Sequence, residues 1–270
     1  MLAKPRVQGS KGVNRGYVRA GPLEMYYEAQ GKGRPLVLLH GGFATIESSF
    51  RALRPAFIER WNTLALEQQG HGHTDDLDRP LSHEQMVEDT ASALEHLGID
   101  DADIFGWSDG GVVALGLAIR HPQLVRRVAI YGAGYGPAAY TDEFRIRLRD
   151  LKPEAPELTP FRESYARVAP HPDRWPQLVN KVRDLSFAFN GWQSAELRQL
   201  AAPLLVMVGD RDVVQLEQAI ELYRLVPRGR LAVFPGTDHS GPLTRAEWLK
   251  AMLTNYFDPP PELDQATEDA

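Results

Sequence analysis

The stretch Pro35-Leu-Val-Leu-Leu-His40 is apolar at every position before its histidine, and it stops at Gly41-Gly42. A strand with one face in water alternates apolar and polar side chains. A run without alternation needs cover on both faces, and a sheet obtains that when helices pack above and below it. Thr63–Leu66, Ala102–Trp107, Val125–Tyr131, Leu204–Val208 and Leu231–Phe234 read as further strands. Helical spacing fills the gaps: Ser48 to Trp61, a helix from Ser82 to Leu97, Gly110 to Arg120, Leu216 to Leu225 and Arg245 to Phe257. Ser82 with Gln85 three positions on is a capping-box pattern, and Gly98 is a stop. Ahead of these, Arg15–Ala20 and Met25–Ala29 form a hairpin signal around Gly21-Pro22. The order predicts an α/β fold with a mostly parallel central sheet flanked by helices.

The alternation breaks once. Residues 137–198 contain no good strand but hold Phe144, Phe161, Tyr165, Trp175, Phe187, Phe189 and Trp192, which reads as a helical insertion. The expected organisation is a core of residues 15–136 and 199–257 with the insertion between, and flexible ends at 1–14 and 258–270. A chain of 270 residues suffices for one such domain.

A net charge of −6 offers no basic stripe for phosphates, which disfavours nucleic acid and anionic membrane surfaces as partners. The chain has no cysteine, so disulfides, thiolate metal sites and a cysteine nucleophile are excluded. No apolar stretch resembles a signal peptide or a membrane span, so a cytoplasmic protein, monomer or homodimer, is the default expectation.

Chemistry enters at Gly106-Trp107-Ser108-Asp109-Gly110-Gly111. Its G-x-S-x-G spacing falls between a predicted strand and a predicted helix, the setting in which a tight turn lifts a serine hydroxyl to the sheet's edge. A serine hydroxyl is a weak nucleophile and needs a base that is itself held by an acid. Asp212 follows the strand Leu204–Val208, with Asp210 as its rival. His239 follows the strand Leu231–Phe234. The oxyanion needs two N–H donors. Asp109 supplies one, and Gly42 or Phe43 the other.

Leu38-Leu39-His40-Gly41-Gly42, Gly70-His71-Gly72, the serine motif, Gly209-Asp210-Arg211-Asp212 and Gly236-Thr237-Asp238-His239 together resemble the α/β-hydrolase superfamily over residues 15–257. The resemblance implies an α/β-hydrolase fold, the triad Ser108–His239–Asp212, and a cap at 137–198 whose aromatics roof the site. Trp107, Trp175 and Trp192 are then candidate substrate contacts, although buried aromatics are more often core. The turn around Ser108 is similar to that of valacyclovir hydrolase-like esterases, in which the acid after the serine is associated with a substrate ammonium. Asp109 accordingly has two readings: a helix-start carboxylate favoured by the dipole, or a cation site.

Other features weigh less. His71-Gly-His73-Thr-Asp75-Asp76 comes near a binuclear metal pattern but has Asp at its sixth position. Gln68 and Gln69 read as turn residues, with a place facing the pocket as the alternative. A serine nucleophile argues against haloalkane dehalogenase and epoxide hydrolase chemistry, and Asp109 stands where cofactor-free haloperoxidases carry Met. Phe43 interrupts the glycine run usual in meta-cleavage C–C hydrolases. The expectation is a serine hydrolase of small carboxylic esters, amino-acid esters included, with no cofactor and no metal. Thioesterase, lactonase and C–C bond hydrolase activities remain open as alternatives on the same fold. A non-catalytic ligand-binding or receptor member is the alternative of another class.

Overall fold

The computed structural model describes residues 12–259. Eight strands form one sheet: β1 Asn14–Ala20, β2 Leu23–Gln30, β3 Pro35–Leu39, β4 Asn62–Leu66, β5 Ala102–Trp107, β6 Val125–Tyr131, β7 Leu204–Gly209 and β8 Gly229–Phe234. Their spatial order is β1-β2-β4-β3-β5-β6-β7-β8. β1 and β2 are an antiparallel hairpin, and β2 meets β4 antiparallel. From β4 to β8 every pairing is parallel. Chain order reverses around β3, which pairs with β4 on one side and β5 on the other. Loops leaving the carboxyl ends at such a switch point diverge and open a crevice.

The unbroken apolar run of β3 has a direct cause. Val37 and Leu39 enter one hydrophobic cluster, and Leu36 and Leu38 enter the other on the opposite face. All four are fully buried, each worth roughly 1.5–3 kcal/mol relative to exposure. One face is covered by α3 (His83–His96), α4 (Asp109–Arg120) and α9 (Leu216–Leu225). The other receives α1 (Ile46–Phe50), α2 (Arg54–Phe57) and α11 (Ala246–Phe257), through Phe50, Phe57, Leu249 and Leu253. Ahead of α11 runs the short α10 (Gly241–Thr244).

Two local expectations need amendment. The helical pattern from Ser48 to Trp61 is two short helices, not one. Pro55 has no N–H to continue the ladder, and it takes a first-turn position in α2 instead. At α3 the Gln85 N–H does donate to Ser82 Oγ at 3.1 Å, but the Gln85 side chain does not return to the cap. It donates to Asp89 Oδ1 at 3.0 Å.

Between β6 and β7 the described chain is helical, with α5 (Asp142–Arg149), α6 (Thr159–Val168), α7 (Trp175–Ala188) and α8 (Ser194–Leu197). Asn14, expected in a loose end, begins β1, while residues 1–11 and 260–270 of the expected tails lie outside the described residues. No described helix is long and apolar enough to cross a membrane.

Candidate active site

Ser108 joins β5 to α4 with φ 56 and ψ −123. A non-glycine residue pays for that left-handed backbone, and such strain persists only where the surroundings impose it. Ser108 N–H donates to the Tyr131 carbonyl at 2.9 Å, and the Ser108 carbonyl accepts from Gly111 N–H at 2.8 Å. The turn is tight enough that a side chain at Gly106 would strike the Gly110 carbonyl, and one at Gly110 would strike the Leu39 carbonyl. The glycines therefore let helix α4 start directly against β3 and β5.

His239 Nε2 lies 3.0 Å from Ser108 Oγ, and its Nδ1 lies 2.7 Å from Asp212 Oδ1. The loops after β5, β7 and β8 bring these three together. The His239 loop is held from beneath: Trp107 Nε1–H donates to the His239 carbonyl at 3.0 Å, and Tyr131 O–H donates to the Asp238 carbonyl at 2.6 Å. The Asp212 side chain is fully buried, and its Oδ1 also accepts from Val214 N–H at 3.3 Å. Asp210, the rival acid, is exposed and turned away: its Oδ1 accepts from Thr237 N–H at 3.1 Å. Backbone donors, Gly236 first, hold its carboxyl below the usual range.

The β3–α1 turn packs against Ser108. A Cβ built on Gly41 would lie 3.1 Å from Ser108 Cβ. Phe43 has φ 63, and two of the three described non-glycine residues with positive φ, Phe43 and Ser108, line this crevice. As the first helical residue, Asp109 has no intrahelical acceptor for its N–H. The turn itself is braced by His40. Burial, with His71 beside it, pushes the His40 imidazole down to about 4. The neutral ring bridges the Gly41 carbonyl, 2.8 Å from Nδ1, and Gln68 N–H, 3.0 Å from Nε2.

The crevice continues into a cavity of about 280 Å³ between the sheet edge and the helices that follow β6. Ser108, His239, Gly42, Phe43, Asp109 and Trp107 all line it. Trp175 and Trp192 do not, which corrects their reading as substrate contacts. Trp175 is buried with its N–H on the Pro153 carbonyl at 2.9 Å and its ring against Tyr165. Trp192 is buried against Gly116, with its N–H on the Val112 carbonyl at 3.0 Å. Phe144, Leu158, Phe161, Val182 and Phe189 supply the apolar wall in their place. Phe144, Phe161 and Phe189 belong to the aromatic set that the family resemblance put over the site, although none of them was singled out there.

His83 was missed altogether. It opens α3, is nearly fully buried, and places Nε2 3.0 Å from Asp109 Oδ1. Burial pushes the Asp109 carboxyl up, but the His83 hydrogen bond and the nearby charges of His83, His71 and His239 outweigh it, leaving the carboxyl below its ordinary range. No feature of a single sequence links positions 83 and 109.

The remaining candidates disperse. His71 Nδ1 sits 2.9 Å from the Gln69 carbonyl, and His73 Nδ1 is 2.9 Å from Glu67 Oε2. Asp75 faces Arg174, and Asp76 takes Lys181 from α7 at 2.7 Å. Gln68 donates to Thr90 Oγ1, and Gln69 bridges Asp76 and Arg79, so both glutamines tie the turn together.

Residues 36–251 match the model of a family described as the alpha/beta hydrolase family. The chain belongs to the alpha/beta hydrolase family. Among its relatives, a 2-hydroxymuconate semialdehyde hydrolase from Pseudomonas putida is 28% identical over 285 residues, covering 93% of this chain and 96% of that protein. The human serine hydrolase BPHL is 24% identical, covering 94% of this chain and 90% of that protein. Among solved structures, the 2-hydroxy-6-oxo-6-phenylhexa-2,4-dienoate hydrolase of Rhodococcus sp. strain RHA1 superposes with a TM-score of 0.72 at 23% identity, covering 91% of this chain and 99% of that one. In this alpha/beta hydrolase the sheet order and parallel pairing agree with the fold expected from the strand runs.

Proposed function

We propose that this chain is a cofactor-independent serine hydrolase of small carboxylic esters, working through an acyl-enzyme, with residues 137–198 as a cap over a core of 15–136 and 199–257. The observation that carries this reading is the continuous line from Ser108 Oγ to His239 Nε2 at 3.0 Å and from His239 Nδ1 to Asp212 Oδ1 at 2.7 Å, opening into an apolar cavity. His239 takes the Ser108 proton as Oγ attacks the ester carbonyl. Asp212 holds the imidazole in the tautomer with Nδ1–H and stabilises the imidazolium. The N–H groups of Asp109 and of Gly42 or Phe43 receive the oxyanion. His239 then protonates the leaving alkoxide, and it later activates the water that cleaves the acyl-enzyme.

The test is rapid mixing with a 4-nitrophenyl ester. An acyl-enzyme mechanism releases a burst of nitrophenolate approaching one equivalent per chain where deacylation is slow. No hydrolysis of any short-chain ester would remove the reading.

A second reading is C–C bond hydrolysis, in which the same machinery acts on a ketone. The Pseudomonas putida relative, aligned over 93% of this chain, supports it. Phe43 in place of a glycine weighs against it. Comparing turnover of a 2-hydroxy-6-oxohexa-2,4-dienoate with that of a short ester separates the two.

A further inference from the structure

A carboxylate directly after the candidate nucleophile is an awkward neighbour for an oxyanion, and Asp109 is not free. One oxygen, Oδ1, sits 3.0 Å from His83 Nε2. The other, Oδ2, lies beside Gly42, close enough that a Cβ there would come within 2.5 Å of it. The Asp109 side chain is 17% exposed, and Asp109 and His83 both line the cavity. The imidazole is a fixed part of the wall: His83 is 3% exposed at its side chain, its ring centroid is 4.5 Å from that of Phe189, and the Ser82 cap anchors the helix end that carries it. Val182 packs toward Gly42 and Phe189 against His83, and both line the cavity, whose charged lining residues are Arg145, Arg147 and Glu157 besides the pair.

We propose that His83 is a specificity-determining residue: its imidazole occupies Asp109, so the cavity takes uncharged acyl groups, and without it Asp109 becomes a binding site for an ammonium group. This inference rests on the ester-hydrolase reading for its kinetic consequence and on geometry alone for its binding consequence. A carboxylate that already accepts a hydrogen bond from a buried, charge-capable donor has less to offer a second cation. An alkylammonium entering here must either share the carboxylate with the imidazole or displace a ring packed against Phe189. Both penalties fall on cationic groups. An isosteric uncharged group pays neither penalty.

Two measurements test this together. The first compares kcat/KM for the 4-nitrophenyl esters of valine and isovalerate, corrected for their intrinsic reactivity, in the wild type, His83→Ala and His83→Leu; the leucine keeps a side chain against Phe189. The wild type is expected to show no preference for the amino ester. Both variants are expected to shift the ratio toward it by at least about tenfold, equal to about 1.4 kcal/mol, and Asp109→Asn in the His83→Ala background is expected to cancel the shift. The second is calorimetric binding of isobutylammonium, which needs no turnover: its affinity is expected to rise at least tenfold in His83→Ala and to fall back in the double variant. Unchanged ratios and affinities would make His83 a packing residue only and overturn the proposal. A wild-type preference for valine that His83→Ala abolishes would overturn it too, since His83 would then orient Asp109 toward a cation. If no ester is turned over, the hydrolase reading fails while the calorimetry still decides the role of His83.

Discussion

Asp212 Oδ1 lies 2.7 Å from His239 Nδ1, and the carboxylate that makes this contact is fully buried. A buried carboxylate accepts hydrogen bonds, so it selects the imidazole tautomer with its proton on Nδ1. The Nε2 lone pair is thereby left toward Ser108. The expected consequence is that Asp212→Asn lowers kcat/KM for a 4-nitrophenyl ester by about 10³–10⁴-fold, because an amide can present its N–H and trap the wrong tautomer. Asp210→Asn, which alters loop contacts to the Gly236 and Thr237 backbone, is expected to have far less effect. Steady-state kinetics of the two variants side by side check this, and the reverse order would assign the acid to Asp210.

The β3–α1 turn has little room. A Cβ at Gly42 would meet Asp109 Oδ2 at 2.5 Å and Val182 Cγ1 at 2.9 Å. Gly42→Ala is therefore expected to push the β3–α1 turn off Asp109 and to reduce kcat by at least about tenfold, a fraction of the effect of losing an oxyanion donor outright. The far-ultraviolet circular dichroism spectrum should stay unchanged. Full activity in this variant would show that the loop backbone is not a donor.

Trp192 separates packing from substrate contact. It is buried, donates to the Val112 carbonyl, and lies under the Arg120 guanidinium at 5.1 Å. Trp192→Ala is expected to destabilise the fold by about 3–5 kcal/mol, read by urea denaturation, with little change in KM for the folded fraction. A large KM change with unaltered stability would return Trp192 to the substrate site.

The sheet was legible from residues such as Leu36–Leu39 because both faces of β3 are buried, which forces every position to be apolar. That Ser108, Asp212 and His239 lie together was legible because each follows a strand, and strand ends in a parallel sheet share one edge. The helices after β6 were less so. Trp175 and Phe161 are both aromatic residues of that segment, yet only Phe161 lines the cavity. Which face a helix turns inward depends on how neighbouring helices seat against it, and the segment's own spacing does not record that. The contact of His83 with Asp109 joins two elements through tertiary packing alone, and no local pattern reports it. The break at Pro55 was readable in principle, but the apolar spacing across it obscured the stop.

Stability should depend on pH through His40. Its imidazole is pushed down to about 4 by burial and by His71, against an unfolded value near 6.5. The unfolded chain therefore takes the proton first as pH falls. This contribution is fully present above about 6.5, is lost on the way down to about 4, and amounts to about 3 kcal/mol. Asp103, pushed up to about 6 by burial despite Arg126, acts in the opposite direction between 6 and 3.8, where its protonation favours the folded state. Asp103→Asn is thus expected to steepen the acid-side loss of stability, measured as urea unfolding free energy from pH 7 to 4. A shallower slope in that variant would contradict the assignment.

Turnover is expected to depend on one hydroxyl, Ser108 Oγ. The most direct measurement is intact-protein and peptide mass spectrometry after reaction with a fluorophosphonate, alongside residual ester turnover. One adduct per chain is expected, located on Ser108, with turnover lost in proportion to labelling, and neither labelling nor turnover in folded Ser108→Ala. An adduct on another residue, or ester turnover that survives in Ser108→Ala, would contradict it.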